Sequence, residues 1–331
     1  MMRSNLTLRF ALSAFALYSL LLLQLSCSAP LPEPTEGGIL LTIGLEVPPG
    51  SRATGTSDEA ENAVRDLQVL VFAEGGTLET YGRSSGGEIT LKCRLGEKEV
   101  WALVNSPDAS GLKSLQAMRD FSIPLSSNTA SSLAMAGCKA VTVTAGHNSD
   151  TISVSRLCAK VVLKGISIDM TSDYLRSESM TLQRIFMTNV PADYLPGDGS
   201  DMSGVWYNKM GYGGEWDPLL CDVVGIELNG AYSVQHSFYV YPNSADEDVR
   251  GGTWSPRATR MVIEALFQGR TCYYVLDLPD TESNHSYVFS GVTLTRPGSD
   301  DPESNPEIVP LEFSFQVAPW SEYHDSYHEY L

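Results

Sequence analysis

Residue types that could carry out enzymatic chemistry are sparse in this chain of 331 residues, which contains five histidines. His324 and His328 are four residues apart, a spacing that on a helix could place both imidazoles on one metal ion. They are close to the C-terminal residue, where a solvated tail is the expected structure. No nucleophile elbow, zinc-protease motif or phosphate-binding loop is present. The sequence therefore predicts no catalytic residues, no metal ligands, no cofactor and no enzyme.

Two other segments carry side chains that could bind a ligand. Residues 196–201 have the oxygen-bearing side chains that calcium prefers, but they lack the twelve-residue EF-hand pattern and predict a turn. Aromatic residues in a glycine-rich stretch before Asp217 could bind a sugar or a protein if they are exposed. Buried rings would instead cover the edge of a domain. The four rings in question are Trp206, Tyr207, Tyr212 and Trp216.

One cysteine near the N-terminus predicts covalent modification. Residues 10–26 form an uncharged apolar run behind a basic start, which is typical of a signal peptide. The small residue Ser26 directly before Cys27 favours lipoprotein processing, with a leader of residues 1–26 and Cys27 as the lipidated first residue. An uncleaved membrane anchor is the alternative reading.

The bond between Arg52 and Ala53 is the predicted site of proteolysis. It lies in residues 48–55, which are rich in Pro, Gly, Ser and Thr and have no strand or helix pattern. Arg65 is the rival site, but it adjoins a predicted strand at Leu67. Cleavage after Arg52 would separate residues 27–52 from the rest of the chain.

Two look-alike ribbons occupy opposite ends of the chain, and side chains on a strand alternate between its faces. Cleavage would free the first ribbon, and a strand of matching period could then fill its place, which is a polymerising mechanism. The removable ribbon, 39–47, is expected to face the core of an N-terminal sandwich with Ile39, Leu41, Ile43, Leu45 and Val47. The donor ribbon, 309–320, has Leu311, Phe313, Phe315 and Val317 on one face and Trp320 as a bulky anchor.

Composition narrows the class of protein. The formal net charge of −18 argues against a nucleic-acid partner, whose phosphates would be repelled. The five cysteines that follow Cys27 are far apart, odd in number and without a Cys-x-x-Cys pair. They predict small buried hydrophobic residues rather than a disulfide scaffold or a zinc site.

Short alternating runs separated by turn residues predict an all-β fold of sandwiches with few short helices, the helices at 57–65 and 111–119. The predicted units are the leader 1–26, the lipidated segment 27–52, an N-terminal sandwich 53–150 that includes strand 39–47 before cleavage, and a C-terminal sandwich 151–331. The predicted strands are 39–47, 67–73, 88–94, 98–104, 139–144, 150–155, 158–168, 181–189, 222–229, 232–241, 260–268, 271–278, 287–295 and 309–318.

An ordered set of short stretches resembles the FimA-type fimbrillins of Bacteroidales, the type V pilins. Residues 50–55 resemble the maturation site of that family, and Leu67 begins a stretch that resembles the first strand of the mature pilin. The resemblance extends over nearly the whole chain after the leader. The matching stretches are 50–55, 67–72, 100–105, 133–137, 155–161 and 315–320.

The resemblance implies two tandem transthyretin-like β-sandwiches in a structural subunit of a cell-surface fimbria that serves adhesion. It implies an outer-membrane lipoprotein that is acylated, for example with palmitate, cleaved by an Arg-directed surface protease and polymerised by donor-strand exchange. The implied partners are other pilin subunits, the lipoprotein-processing machinery and a host or bacterial surface receptor. The alternative is a monomeric outer-membrane surface lipoprotein that binds glycan or protein.

Overall fold

β-Strands dominate the structure, a computed structural model that describes residues 38–47, 60–197, 204–210, 216–245, 254–303 and 311–320. All of these residues except Gly38 belong to one compact unit, 39–331. The predicted all-β class is confirmed, with two short α-helices in the described ranges: α1 (Leu115–Arg119) and α2 (Asp173–Arg176). None of the helices in these ranges is long and apolar enough to cross a membrane.

The first part of the chain builds a three-stranded and a five-stranded sheet. The strands are β1 (Ile39–Glu46), β2 (Leu67–Ala73), β3 (Leu78–Ser84), β4 (Glu88–Cys93), β5 (Gly96–Val104), β6 (Ile123–Pro124), β7 (Met135–Val143), β8 (Asn148–Ser153) and β9 (Ser155–Arg156). The smaller sheet has the strand order β4-β1-β8 and the larger has the order β3-β2-β5-β7-β9.

The second part builds a six-stranded and a four-stranded sheet. The strands are β10 (Ala159–Leu163), β11 (Ile166–Ile168), β12 (Met180–Thr188), β13 (Val190–Pro191), β14 (Asp193–Tyr194), β15 (Trp206–Tyr207), β16 (Cys221–Glu227), β17 (Ala231–Tyr232), β18 (His236–Val240), β19 (Arg260–Phe267), β20 (Arg270–Asp277), β21 (His285–Leu294) and β22 (Leu311–Pro319). The six-stranded sheet has the order β17-β11-β21-β10-β18 with β22 on β21, and the four-stranded sheet has the order β16-β12-β19-β20. Two small sheets, β13-β15 and β14-β6, complete the described fold.

Each pair of large sheets encloses apolar side chains, so each pair is a sandwich. Leu41 of β1 and Val69 of β2 lie in the first core, and Phe289 of β21 and Ile263 of β19 lie in the second. β2 is buried on both faces, because Leu70 points away from the first core and joins the second. The five-stranded sheet therefore supports both cores.

The strands that end the first sandwich pass the predicted domain boundary. β8 contains residues 150 and 151, and β9 extends the five-stranded sheet to Arg156. The first strand of the second sandwich begins at Ala159. Division into an N-terminal domain 53–150 and a C-terminal domain 151–331 stays a prediction.

Both predicted helices are shorter than the sequence suggested. In the described part of the first, only residues 60–61 are helical, because the main-chain N–H groups of Arg65 and Asp66 donate to Asn105 Oδ1. The helix predicted at 111–119 begins at Leu115, since the Ser114 hydroxyl caps it by accepting from the Ala117 N–H at 3.1 Å.

Candidate functional site

β1 is the middle strand of its sheet and is hydrogen-bonded on both sides. It runs antiparallel to β4 from Ile39 to Gly44 and parallel to β8 from Leu41 to Glu46. Withdrawal of β1 would leave a channel between β4 and β8, with unpaired backbone groups along both walls. Exposed strand edges of this kind are templates for pairing with another strand.

The apolar face of β1 lies on the first core, where alternation of side chains places it. Leu41 and Ile43 are fully buried. Ile39, Leu45 and Val47 are partly buried and pack against the same cluster. Each fully buried aliphatic side chain of this kind contributes about 1.5–3 kcal/mol of transfer free energy. An empty channel would expose the core side chains that β1 covers to water. Removal of β1 therefore favours the entry of another apolar strand in its place.

The polar face of β1 carries a hydroxyl that the sequence analysis missed. Thr42 is only 8% exposed, and its Oγ1 lies 2.8 Å from Thr90 Oγ1 on β4. The same oxygen lies 3.4 Å from His147 Nε2, in the turn before β8. The hydroxyl of Thr42 is therefore enclosed by polar groups from both sides of the channel. The only feature of the sequence that could have indicated this buried hydroxyl is a threonine in the middle of the polar face of the predicted strand.

The predicted donor ribbon forms β22, which pairs with β21 of its own chain and with no other strand in the described part. Its apolar side chains are poorly covered there. Phe313 is 41% exposed and Val317 is 44% exposed, whereas Leu311 is buried. Phe315 is half-buried and lies over Phe289, with ring centroids 4.6 Å apart. β22 is thus an edge strand with apolar surface in excess of what its own sheet covers.

Trp320 is buried at the end of β22 in what we call the Glu61 cluster, formed by Glu61, Lys160, Tyr239 and Trp320. Lys160 Nζ donates to Glu61 Oε1 at 2.7 Å, and the Tyr239 hydroxyl donates to the same oxygen at 2.7 Å. The Trp320 indole N–H donates to Glu61 Oε2 at 3.2 Å. Burial, together with the Glu61 carboxylate, raises the pKa of Tyr239, so the phenol keeps its proton and donates.

Arg156 also lies against the indole of Trp320. Its guanidinium lies 4.7 Å from the centre of the Trp320 ring, within the range of a cation–π contact. It donates to Asn284 Oδ1 at 2.8 Å and also to Asn62 Oδ1. The Asn284 carbonyl accepts from the Trp320 main-chain N–H at 2.8 Å. The predicted anchor residue is therefore held by its own chain.

The signals for this cluster in the sequence are weak. Glu61 lies in the middle of the predicted helix 57–65, between Ala60 and Asn62, where an exposed carboxylate is the ordinary expectation. Lys160 and Tyr239 lie in predicted strands among apolar residues, which is an unusual place for a lysine. Contacts among four separate segments could not be inferred from spacing.

Several predicted processing residues fall outside the described ranges: Cys27, Arg52 and Ala53. The rival cleavage residue is described and is constrained. The main-chain N–H of Arg65 donates to Asn105 Oδ1 at 3.0 Å, and its side chain donates to the Ser131 carbonyl. Cleavage after Arg65 would need this backbone to be released, and it would detach Glu61 from its cluster.

The aromatic residues near Asp217 cover the fold rather than project from it. Trp206 is buried with Trp254 edge-on at 5.3 Å, and Trp216 stacks on Phe186 at 4.2 Å. Tyr212, most of residues 196–201, and both His324 and His328 lie outside the described ranges. In the described part of the chain, no group of three His, Cys, Asp or Glu residues could hold a metal ion.

The five cysteines in the described ranges are free thiols. Cys93, Cys158 and Cys272 are buried, as predicted, and Cys221 is half-buried. Cys138 is exposed, so the prediction of a buried thiol is wrong there. It lies on β7, where residues 138–140 are all exposed.

The fold thus has two β-sandwiches in tandem. The first contains β1 as a central strand, and the second has β22 as an edge strand. These features can be compared with those of known proteins. No protein-family model matches this chain. The chain is 24% identical over 321 residues to the major fimbrium subunit FimC of Porphyromonas gingivalis, covering 88% of this chain. It spans 65% of the length of that relative.

Solved structures share the fold. A fimbrilin, FimA, of Porphyromonas gingivalis superimposes with a TM-score of 0.65 at 17% identity, covering 86% of this chain and 98% of that one. A candidate cell adhesion protein of Bacteroides eggerthii gives a TM-score of 0.65 at 19% identity, covering 86% and 96%. The resemblance to fimbrillins predicted from the sequence is confirmed, as homology to FimC and as the fold of FimA.

Proposed function

We propose that this chain is a structural subunit of a cell-surface fimbria that serves adhesion. It is exported as a lipoprotein acylated at Cys27, cut between Arg52 and Ala53, and polymerised by donor-strand exchange with other pilin subunits. The relatives support the fimbrial role, since FimC and FimA are a fimbrium subunit and a fimbrilin. The position of β1 carries the exchange mechanism, because a central strand leaves a channel with two unpaired walls when it departs.

The covalent link between β1 and the chain that follows it supports cleavage after Arg52. Residues 48–52 connect β1 to the chain that follows, so a cut after Arg52 leaves β1 held by hydrogen bonds and packing alone. The same cut keeps Glu61 on the mature side. A cut after Arg65 would remove Glu61 and leave Lys160 unpaired in a buried place, which is strongly destabilising.

The test uses the full precursor and an arginine-specific protease. After cleavage, we expect a new N-terminus at Ala53 and multimers that resist SDS without boiling. The Arg52→Ala variant should keep residues 27–52 and stay monomeric, whereas the matched Arg65→Ala variant should behave as the unsubstituted protein does. Multimers formed by Arg52→Ala, or monomers only from cleaved protein, would refute the proposal.

A monomeric surface lipoprotein that binds glycan or protein is the second candidate function. One observation favours it: β22 is already paired with β21, and Trp320 is buried in its own chain. Exchange must break these contacts first. Sedimentation of the cleaved protein distinguishes the two, because the monomeric binder remains a single species at every concentration.

A further inference from the structure

We propose that a second copy of this chain inserts β22 into the channel in one register and one direction, with Ser314 in the place of Thr42 and Glu312 opposite Lys92. This inference rests on the proposed function, because it concerns the strand that replaces β1. The evidence for it is the positions of prolines, hydroxyl groups and charged side chains in β22 and in the walls of the channel.

The prolines that flank the donor segment limit its register. β1 has eight residues, Ile39–Glu46, and runs between two partner strands. Pro310 and Pro319 enclose a proline-free run of eight residues, 311–318. Proline has no N–H to donate to a ladder, so it is excluded from a central strand. The two eight-residue segments therefore superimpose end to end.

A shift of two residues, the smallest that keeps the apolar side chains on the core, is unfavourable in either direction. One shift brings Pro319 to the place of Leu45, whose N–H donates to the Gly87 carbonyl at 3.0 Å, and that hydrogen bond is lost. The opposite shift brings Glu312 to the place of Thr42. A carboxylate would then occupy a nearly buried position.

In the unshifted register a hydroxyl replaces a hydroxyl. Ser314 takes the place of Thr42, whose Oγ1 contacts Thr90 at 2.8 Å and His147 at 3.4 Å. The N–H of Leu45 donates across the same ladder, and hydrogen-bonded pairs alternate along antiparallel strands. Positions 42 and 90 therefore form a non-hydrogen-bonded pair, in which side chains approach most closely.

Charge selects the direction of the inserted strand, because a reversed strand centred on the same serine would keep the apolar pattern. In the direction of β1, Glu312 takes the place of Leu40, which lies opposite Lys92. In the described part of the chain, Lys92 has no ion-pair partner. Reversed, Glu312 would take the place of Gly44, opposite Glu88, and like charges directly opposite are destabilising.

The remaining donor side chains differ in how easily the channel accepts them. Gln316 takes the place of Gly44, where an added Cβ would meet Thr151 Oγ1 at 3.8 Å, an ordinary contact. Phe313 and Phe315 take the two fully buried positions, 41 and 43. Their rings are larger than the side chains they replace, so the first core must adjust around them.

Site-directed cross-linking tests the register. Acceptor Thr90→Cys and donor Ser314→Cys, both with Cys138→Ser to remove the exposed thiol, are cleaved with the arginine-specific protease, mixed and oxidised. The matched donors carry Glu312→Cys or Gln316→Cys on the same face. Because a disulfide needs directly opposed side chains, we expect the Ser314 donor to give about tenfold more disulfide-linked dimer than either matched donor. Peptide mass spectrometry identifies the linked residues.

The outcomes separate the register from the function. A dominant cross-link from the Glu312 or Gln316 donor overturns the register and leaves strand exchange standing. Cross-links from none of the donors, while the unsubstituted protein still forms SDS-resistant multimers, show that another segment fills the channel and overturn the inference. Absence of multimers from the unsubstituted protein overturns the proposed function, and the register with it.

Charge reversal tests the direction. Glu312→Lys should lower the yield of SDS-resistant multimers several-fold, and Lys92→Glu in the acceptor should restore it. A reversed strand predicts the opposite result, because the new lysine would then face Glu88. Higher multimer yield from Glu312→Lys alone therefore overturns the proposed direction.

Discussion

The indole N–H of Trp320 donates to the carboxylate of Glu61, which joins the end of β22 to a residue 259 positions earlier in the chain. β22 is therefore secured at its C-terminal end even though Phe313 and Val317 are exposed along it. Release of β22 from its own chain would break this cluster as well as the main-chain pairing with β21. The Glu61 cluster is thus one part of the barrier that the proposed strand exchange would have to overcome.

Truncation of the indole should destabilise the whole second sandwich. Trp320→Ala removes a buried aromatic side chain and leaves a cavity, so we expect the free energy of unfolding to fall by about 3–5 kcal/mol. Trp320→Phe keeps a ring against Tyr239 and loses the hydrogen bond, for a smaller loss of about 1–2 kcal/mol. Urea denaturation of the precursor measures both. Equal stability of Trp320→Ala and the unsubstituted protein would show that the indole is not held as described.

Removal of the Glu61 carboxylate should lower the free energy of unfolding by about as much as Trp320→Ala does. Glu61→Ala leaves Lys160 buried without its partner at 2.7 Å, and breaking a buried pair costs about 3–5 kcal/mol. Asp173→Ala is the matched control, because its ion pair with Arg176 is on the surface and is worth less than about 1 kcal/mol. Thermal melts of the two variants should differ clearly, and similar melting temperatures would contradict the buried role of Glu61.

One glycine is required by close approach of two strands from different sheets. A Cβ added at Gly137 of β7 would collide with the Ser153 carbonyl of β8. Gly137→Ala should therefore lower the free energy of unfolding by about 1–3 kcal/mol through forced backbone shifts. Gly87→Ala is the control, since a Cβ there meets no atom within 4 Å. If both variants melt at the same temperature, β7 and β8 do not approach as closely as the structure indicates.

A native thiol reports whether β1 occupies the channel. Cys93 lies on β4 opposite Ile39, and burial raises the pKa of Cys93 to about 11, so little thiolate exists at pH 8. Departure of β1 removes the cover, lowers the pKa towards its ordinary value of 9.0 and raises the thiolate fraction. Iodoacetamide labelling of Cys93 at pH 8 should rise after cleavage and fall when a donor strand enters.

Cys158 is the internal control for this labelling, because it is fully buried in the second core, and burial raises its pKa to about 12. Peptide mass spectrometry after digestion resolves the two sites. Cys93 labelling that stays as low as that of Cys158 after cleavage would show that β1 has not left its sheet.

Alternation of apolar residues predicted most strands to within a few residues, because each one has a face on a core. The strand at Leu67–Ala73 was predicted without error in its bounds. β3 (Leu78–Ser84) was missed, since Leu78 is its only buried side chain and Gly82 interrupts the pattern. β3 is stabilised mainly by main-chain pairing with β2, so its sequence shows little alternation of apolar and polar residues.

The candidate site was predictable only in part. The apolar faces of β1 and β22 follow from their own sequences, and the structure places both ribbons in strands. The partners of those strands do not follow, because β1 lies between β4, whose paired residues are 44 to 54 positions away, and β8, whose paired residues are 107 positions away. The burial of Trp320 against Glu61 depends likewise on distant contacts. Local periodicity encodes which face is apolar but not which side chain covers it.

The last prediction concerns the donor strand itself. Phe313→Asp should abolish SDS-resistant multimers, because it would place a carboxylate at a fully buried position of the channel. Phe313 is a better test than Phe315, since Phe313 is 41% exposed in its own sheet whereas Phe315 packs on Tyr287 and Phe289. The monomer should therefore stay folded, exported and cleaved.

Ala318→Asp is the matched control for this added charge. In the unshifted register Ala318 takes the place of Glu46, an exposed position that already carries a carboxylate in β1. This variant should form multimers as the unsubstituted protein does. Circular dichroism and N-terminal sequencing check folding and cleavage of both variants. If cells whose only copy carries Phe313→Asp still display normal filaments of this protein, β22 is not the donor, and the monomeric surface binder becomes the better account.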